Sequence, residues 1–213
     1  MKHLSFLIVL LIYQVANCQT YKFDQISTFD LVGKNKVIAT TQKLTNSENL
    51  YYSMDFKSGY SAELVDNSTF RRHFFNVVKQ ANDKFVFNYV KSYDEKVIHY
   101  DIKNTKRDYR IKKINNNNYI FGKYDSSESK YPYVEIKFQV EEANSNQLGF
   151  LHTIDFELLE KFVENNKEKK CSVKKLDYYV NGKKAKEQTL KAVTAMNVEV
   201  KLPEKLIFKC LSR

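Results

Sequence analysis

The sequence predicts a mainly β fold: an antiparallel β-meander that forms a strongly curved sheet or an open barrel, with one amphipathic helix packed against it near 153–165. Three observations lead to this prediction. Between Ile26 and Glu142, apolar and polar residues alternate in short runs, the two-residue period of a strand with one wet face. Turn residues separate these runs roughly every ten residues with no helical segment between them, which favours antiparallel neighbours. Helical spacing of apolar residues is clear only once, beyond residue 150.

The strand pattern is clearest in 134–141, where valine, isoleucine and phenylalanine alternate with glutamate, lysine and glutamine. Residues 50–56 alternate in the same way, and 85–90 is apolar on both faces except at Asn88, as in a more buried strand. The segment 70–79 is ambiguous, since Phe74, Val77, Val78 and Ala81 also fit a short helix. The remaining predicted strands are 36–44, 60–65, 97–102, 109–114 and 119–124.

The predicted helix and the hairpin that follows it complete the domain. One apolar stripe consists of Ile154, Leu158, Leu159, Phe162 and Val163, with acidic residues in the first turn, and we expect this stripe to pack on the sheet. Strands at 171–180 and 183–193 flank Asn181-Gly182, a strong signal for a two-residue hairpin turn. Residues 197–202 alternate again, and after Pro203 we expect an edge strand at 206–208.

The first eighteen residues have the organisation of a signal peptide. Lys2 precedes an apolar run at 4–13, and Ala16 and Cys18 occupy the small-residue positions of a cleavage site. Cleavage after Cys18 leaves Gln19 at the N-terminus of a secreted or periplasmic protein. The alternative is a lipid anchor on Cys18, although Asn17 departs from the usual lipoprotein pattern. No later run has the length of a membrane helix, and residues 19–213 fit a single β-rich domain.

Positive charge is concentrated at the C-terminal end of the chain. Of the net charge of +10, residues 161–213 contribute +8, with 14 basic and 6 acidic side chains. Such a segment attracts anionic membranes, glycans, lipids or acidic proteins, or serves only solubility. Without a nucleic-acid-binding motif, we expect no nucleic-acid partner. The candidate contacts with an anionic surface are Lys169, Lys170, Lys174, Lys175, Lys183 and Lys184.

Two cysteines, Cys171 and Cys210, remain after cleavage of the predicted signal peptide. An even number of cysteines in an oxidising compartment predicts one disulfide, which would contribute about 3 to 4 kcal/mol through the unfolded chain. The alternative is two buried thiols.

No arrangement of residues specifies a reaction, a cofactor or a metal. His99 and Asp101 lie two apart on a predicted strand, but a site needs further ligands or a nucleophile that no spacing identifies. Two carboxylate pairs have simple structural interpretations, a wet strand end for Glu141-Glu142 and a first helical turn for Asp155 and Glu157.

We therefore expect an exported, non-enzymatic binding protein of unknown ligand that contacts anionic surfaces through its basic C-terminal segment. The alternative is a periplasmic carrier or chaperone for lipids or lipoproteins, since the strand order and helix placement resemble the general architecture of half-barrel carriers of the LolA type. An enzyme with a dispersed active site is a weaker alternative. An apolar cavity under the helix would favour the carrier, and a polar cleft at His99 would favour the enzyme.

Overall fold

The chain forms one antiparallel sheet of eleven strands in the computed structural model, which describes residues 19–33, 38–57, 60–80, 84–95, 107–148, 151, 156–166 and 169–209. One helix, α1 (Phe156–Asn165), follows β9 in this part of the chain. The predicted mainly β class is therefore confirmed. The strands are β1 (Thr20–Gly33), β2 (Ile38–Thr45), β3 (Tyr52–Lys57), β4 (Ser61–Asp66), β5 (Arg71–Lys79), β6 (Phe85–Asp94), β7 (Asp108–Lys113), β8 (Asn118–Tyr124), β9 (Val134–Glu142), β10 (Cys171–Val180) and β11 (Lys183–Lys201).

The strand order is that of two meanders joined side by side. The sheet runs β6-β5-β4-β3-β2-β1-β11-β10-β9-β8-β7, so among the described strands the β1–β11 pair alone joins strands that are not consecutive in the chain. Strands β6 and β7 end the sheet, and it does not close on itself. Most neighbours are joined by short connections, because antiparallel strands need no crossover segment, whereas β9 and β10 are joined by the segment that contains α1. At Asn181-Gly182 both residues have positive φ, 48° and 72°, as a type I′ hairpin turn requires.

Buried side chains form two groups. The helix core contains residues from α1, the segment before it, β1 and β8–β10: Phe29, Tyr119, Phe121, Val134, Ile136, Phe138, Val140, Leu148, Leu151, Leu158, Leu159, Phe162, Cys171, Val173 and Leu176. The strand core contains residues from the first five strands, the end of β11 and the chain beyond it: Tyr21, Phe23, Leu44, Met54, Ala62, Leu64, Phe75, Val77, Val200 and Leu202. Because β1 contributes to both groups, it links the two halves of the sheet.

The contacts of α1 indicate a curved sheet. The Phe162 ring lies 5.1 Å from the Tyr119 ring on β8 and 5.5 Å from the Phe138 ring on β9. At the other end of the helix, the Phe156 ring lies 5.8 Å from that of Tyr51, next to β3. In a flat sheet β3 and β8 would be about 29 Å apart, since six steps of about 4.8 Å separate them. A ten-residue helix is only about 15 Å long.

Several predicted boundaries differ from the structure. The ambiguous segment 70–79 forms strand β5, and 183–193 and 197–202 form one continuous strand, β11. At 206–208 the described contact is an isolated parallel bridge between Phe208 and Ser92 rather than a full strand. Strand β1 is not among the predicted strands, because the polar residues Gln25 and Ser27 at buried positions of its inward face interrupt the apolar pattern.

Some predicted features lie outside the described residues. These are the signal peptide with Cys18, the strand at 97–102, and the helix start that includes Ile154 and Asp155. The rest of the helix agrees with the prediction, since Leu158, Leu159 and Phe162 are buried and Val163 packs against the helix core.

Candidate binding surface

Three of the six predicted contact lysines form ion pairs. The Nζ of Lys174 pairs with Glu141, and the Nζ of Lys175 lies 3.0 Å from Glu187 Oε1. The Nζ of Lys184 lies 2.8 Å from Asp177 Oδ1 and also pairs with Glu187. Hydrogen bonds from Lys184 and Lys175 lower the pKa of Glu187 to about 2. This part of the basic segment is therefore a surface of mixed charge.

The other three predicted lysines do not form a single patch. Lys169, Lys170 and Lys183 are exposed and have no ion-pair partner among the described residues. Lys169 and Lys170 precede β10, whereas Lys183 follows the turn after it, so about 30 Å of strand separates them. The structure thus divides the predicted lysine surface into separate pieces.

A different part of the basic segment brings apolar and basic groups together. We call residues 202–209, which follow β11, the C-terminal strap. The Ser92 amide on β6 donates to the Ile207 carbonyl at 2.8 Å, and the Lys209 amide donates to the Ser92 carbonyl at 3.0 Å. The Ile207 amide donates to the Tyr89 hydroxyl at 3.0 Å. These bonds fasten the strap to the edge strand β6.

The strap presents two large apolar side chains to solvent. Ile207 is 55% exposed and Phe208 is 49% exposed, and the exposed lysines Lys205 and Lys209 lie on either side of them in the chain. The Arg71 guanidinium lies over the Phe208 ring, with Cζ 5.4 Å from the ring centre. An arginine placed over an aromatic ring makes a favourable cation–π contact. The result is an amphipathic surface with basic margins.

A concavity of about 560 Å³ lies beside this surface. Its donors are the side chains of Gln19, Arg71 and Lys205, and Glu204 is its acidic member. A guanidinium offers five N–H donors, and that of Arg71 lines this concavity. The remaining lining residues are Leu202, Pro203, Leu206 and Phe208.

A histidine and a serine lie beneath the strap in an enclosed hydrogen-bond network. The His73 Nδ1 and the Tyr89 hydroxyl each lie 2.7 Å from the Ser92 Oγ. Both His73 and Ser92 are fully buried. The pair therefore supports the edge to which the strap is attached, and no substrate reaches it in this conformation.

None of the other candidate residues that the structure describes lies in a reactive group. Glu141 and Glu142 are exposed at the end of β9, and Glu157 is in the first turn of α1, as expected. His99, Asp101 and Asp155 lie outside the described residues. Within the described ranges, no three His, Cys, Asp or Glu side chains are grouped to hold a metal ion. No helix in these ranges combines the length and apolarity needed to cross a membrane.

The predicted disulfide is not seen in the structure. Cys171 is a buried free thiol in the helix core, with Sγ 3.7 Å from the Lys169 carbonyl oxygen. Burial raises the pKa of this thiol. Cys210 lies outside the described residues.

Sequence reasoning missed the residues of the strap surface, above all Arg71, Ile207 and Phe208. A signal for part of it was present, since Lys201, Lys205 and Lys209 recur every four residues among apolar residues in KLPEKLIFK. No local pattern points to Arg71, which is distant in sequence and meets Phe208 only through the pairing of β5 with β6.

No protein-family model matches the sequence, and no curated protein matches it.

Proposed function

We propose that this chain is an exported, non-enzymatic binding protein that associates with anionic membrane surfaces through its C-terminal strap. The observation that carries the proposal is the exposure of Ile207 and Phe208 between Lys205 and Lys209 on a strap fastened to β6. The proposal retains the expected type of partner and moves the contact away from Lys174, Lys175 and Lys184, whose charges are paired.

The chemistry of the strap suits the boundary between lipid headgroups and acyl chains. Transfer of two half-exposed apolar side chains out of water contributes about 2 kcal/mol. Each lysine near an anionic leaflet contributes about 1 kcal/mol, so Lys205 and Lys209 add about 2 kcal/mol. This total supports reversible association rather than permanent anchoring.

Arg71 gives the surface its preference for anionic headgroups. Its guanidinium lines the concavity beside the strap and lies over the Phe208 ring. A phosphate oxygen is a natural acceptor for such a group, because arginine binds phosphate through paired N–H donors. We propose that a lipid phosphate occupies this concavity while Phe208 enters the acyl boundary.

A Phe208→Trp variant tests the orientation, because the chain contains no tryptophan. Its emission should shift to the blue on addition of vesicles containing one third phosphatidylglycerol, and much less with pure phosphatidylcholine. A matched reporter, Tyr131→Trp, occupies a side chain that is 85% exposed and distant from the strap in sequence, and its emission should not change. Equal shifts for both reporters would contradict the proposed orientation.

Two double lysine variants of equal charge test whether the membrane contact lies on the strap. K205Q/K209Q should weaken vesicle binding about 30-fold, the equivalent of about 2 kcal/mol. The control K174Q/K175Q removes the same charge from the ion-paired surface and should weaken binding less than about threefold. An equal loss of vesicle affinity in the two variants, or vesicle binding that added salt does not weaken, would contradict the proposal.

The carrier interpretation has less support among the described residues. Phe162 and Leu158 are fully buried, and the Phe162 ring contacts β8 and β9 directly, so the inward face of α1 is occupied by packing. Export, with cleavage before Gln19 or a lipid anchor on Cys18, remains part of the proposal and is tested by N-terminal analysis of the protein from its own cells.

A further inference from the structure

A groove on the other half of the molecule has a different chemistry from the strap. It lies between one side of α1 and the chain before β3, with a volume of about 430 Å³. Its apolar lining consists of Leu50, Tyr51, Phe156, Leu159 and Val163. Tyr51 is 50% exposed although it contacts Phe156, so part of this apolar surface faces water. The volume falls within the range of ligand pockets.

The charged residues that line the groove are all glutamates, Glu48, Glu160 and Glu164. The carboxylates of Glu48 and Glu164 have no ion-pair partner among the described residues. On a chain of net charge +10, this local excess of negative charge sets the groove apart. Three carboxylates around an apolar floor attract cations and repel anionic lipids.

The polar lining of the groove also includes Asn146. The glutamate carboxylates offer hydrogen-bond acceptors to an occupant that carries N–H donors.

From this complementarity we infer that the groove binds a basic amphipathic segment of a partner protein. The apolar side chains of the segment lie on Leu50, Tyr51 and Val163, and its lysine or arginine side chains reach Glu48 and Glu164. An amphipathic segment that lays its apolar face in a groove is a common mode of peptide recognition. The proposal is independent of membrane association, since it involves a different surface of opposite charge.

The experiment uses the chain from Gln19 onward and a tryptophan-containing peptide of leucine and lysine in helical amphipathic order. Because the protein has no tryptophan, the emission of the peptide reports its own environment. Binding should shift this emission to the blue. Two control peptides of equal length, one with glutamate in place of lysine and one with scrambled order, should bind at least tenfold more weakly.

Variants then locate the site. E48Q/E164Q should raise the peptide Kd at least tenfold, whereas E128Q/E204Q removes the same charge from exposed positions outside the groove lining and should change it less than about twofold. Tyr51→Ser should abolish the blue shift, with folding verified by circular dichroism. Equal effects of the two glutamate pairs, binding of the scrambled peptide with equal affinity, or no binding of the amphipathic peptide would overturn the proposal.

Discussion

Acidification should destabilise this protein through one buried histidine. His73 is 0% exposed, its Nδ1 bonds to Ser92, and its Nε2 is buried without a hydrogen-bond partner in the described structure. Burial lowers the pKa of His73 from 6.5 to about 4, although the nearby Asp66 carboxylate opposes the shift. Since the unfolded histidine keeps a pKa near 6.5, the unfolded state binds the proton first. Stability is therefore complete above about pH 6.5 and is lost as the pH falls toward 4.

The two pKa values set the size of the effect. Between pH 7 and pH 4.5, linkage predicts a loss of about 2.4 kcal/mol in the free energy of unfolding from His73 alone. A His73→Asn variant removes the titration, and its amide can still bond to Ser92. Other titrating groups, including the remaining histidines, respond to pH in both proteins. The difference between the two pH profiles therefore isolates His73.

Urea unfolding of both proteins at several pH values, followed by circular dichroism, measures this difference. The wild-type protein should lose about 2 kcal/mol more than the variant between pH 7 and pH 4.5. If the free energy of unfolding changed equally with pH in the wild-type protein and the variant, the role assigned to His73 would be refuted. If the variant does not fold, an NMR titration of the wild-type imidazole decides the question, and a pKa near 6.5 would be the refuting result.

Two further predictions concern the helix core. Phe162→Ala should lower the free energy of unfolding by about 3 to 5 kcal/mol, because it removes the ring that contacts Tyr119 and Phe138. Urea unfolding measures this loss, and a value below about 1 kcal/mol would contradict the packing described for Phe162. Because Cys171 is buried and its pKa is raised, it should react slowly with a thiol reagent in the folded chain from Gln19 onward. After denaturation without reductant, two thiols should react rapidly, and the absence of any reactive thiol would show that the disulfide to Cys210 forms.

The sequence was sufficient to predict an element where the local residue pattern reflects which face of that element is buried or which φ values a turn requires. The alternation of residues 134–141 predicted β9, because one face of that strand is buried in the helix core and the other faces water. Asn181-Gly182 predicted a turn that needs positive φ at both positions. The spacing of Leu158, Leu159 and Phe162 predicted the buried stripe of α1 for the same kind of reason.

Tertiary structure decided which distant groups meet. Strand β1 escaped prediction because Gln25 and Ser27 are buried in a strand linking two cores, against the usual preference of polar residues for water. The sequence shows that positive charge is concentrated in the C-terminal segment. Strand pairing placed Lys175 beside Glu187 and Lys184 beside Asp177, and left the strap with Arg71 as the amphipathic surface. Residue periodicity reports which face of an element is buried, whereas the neighbours on that face depend on the pairing of all eleven strands.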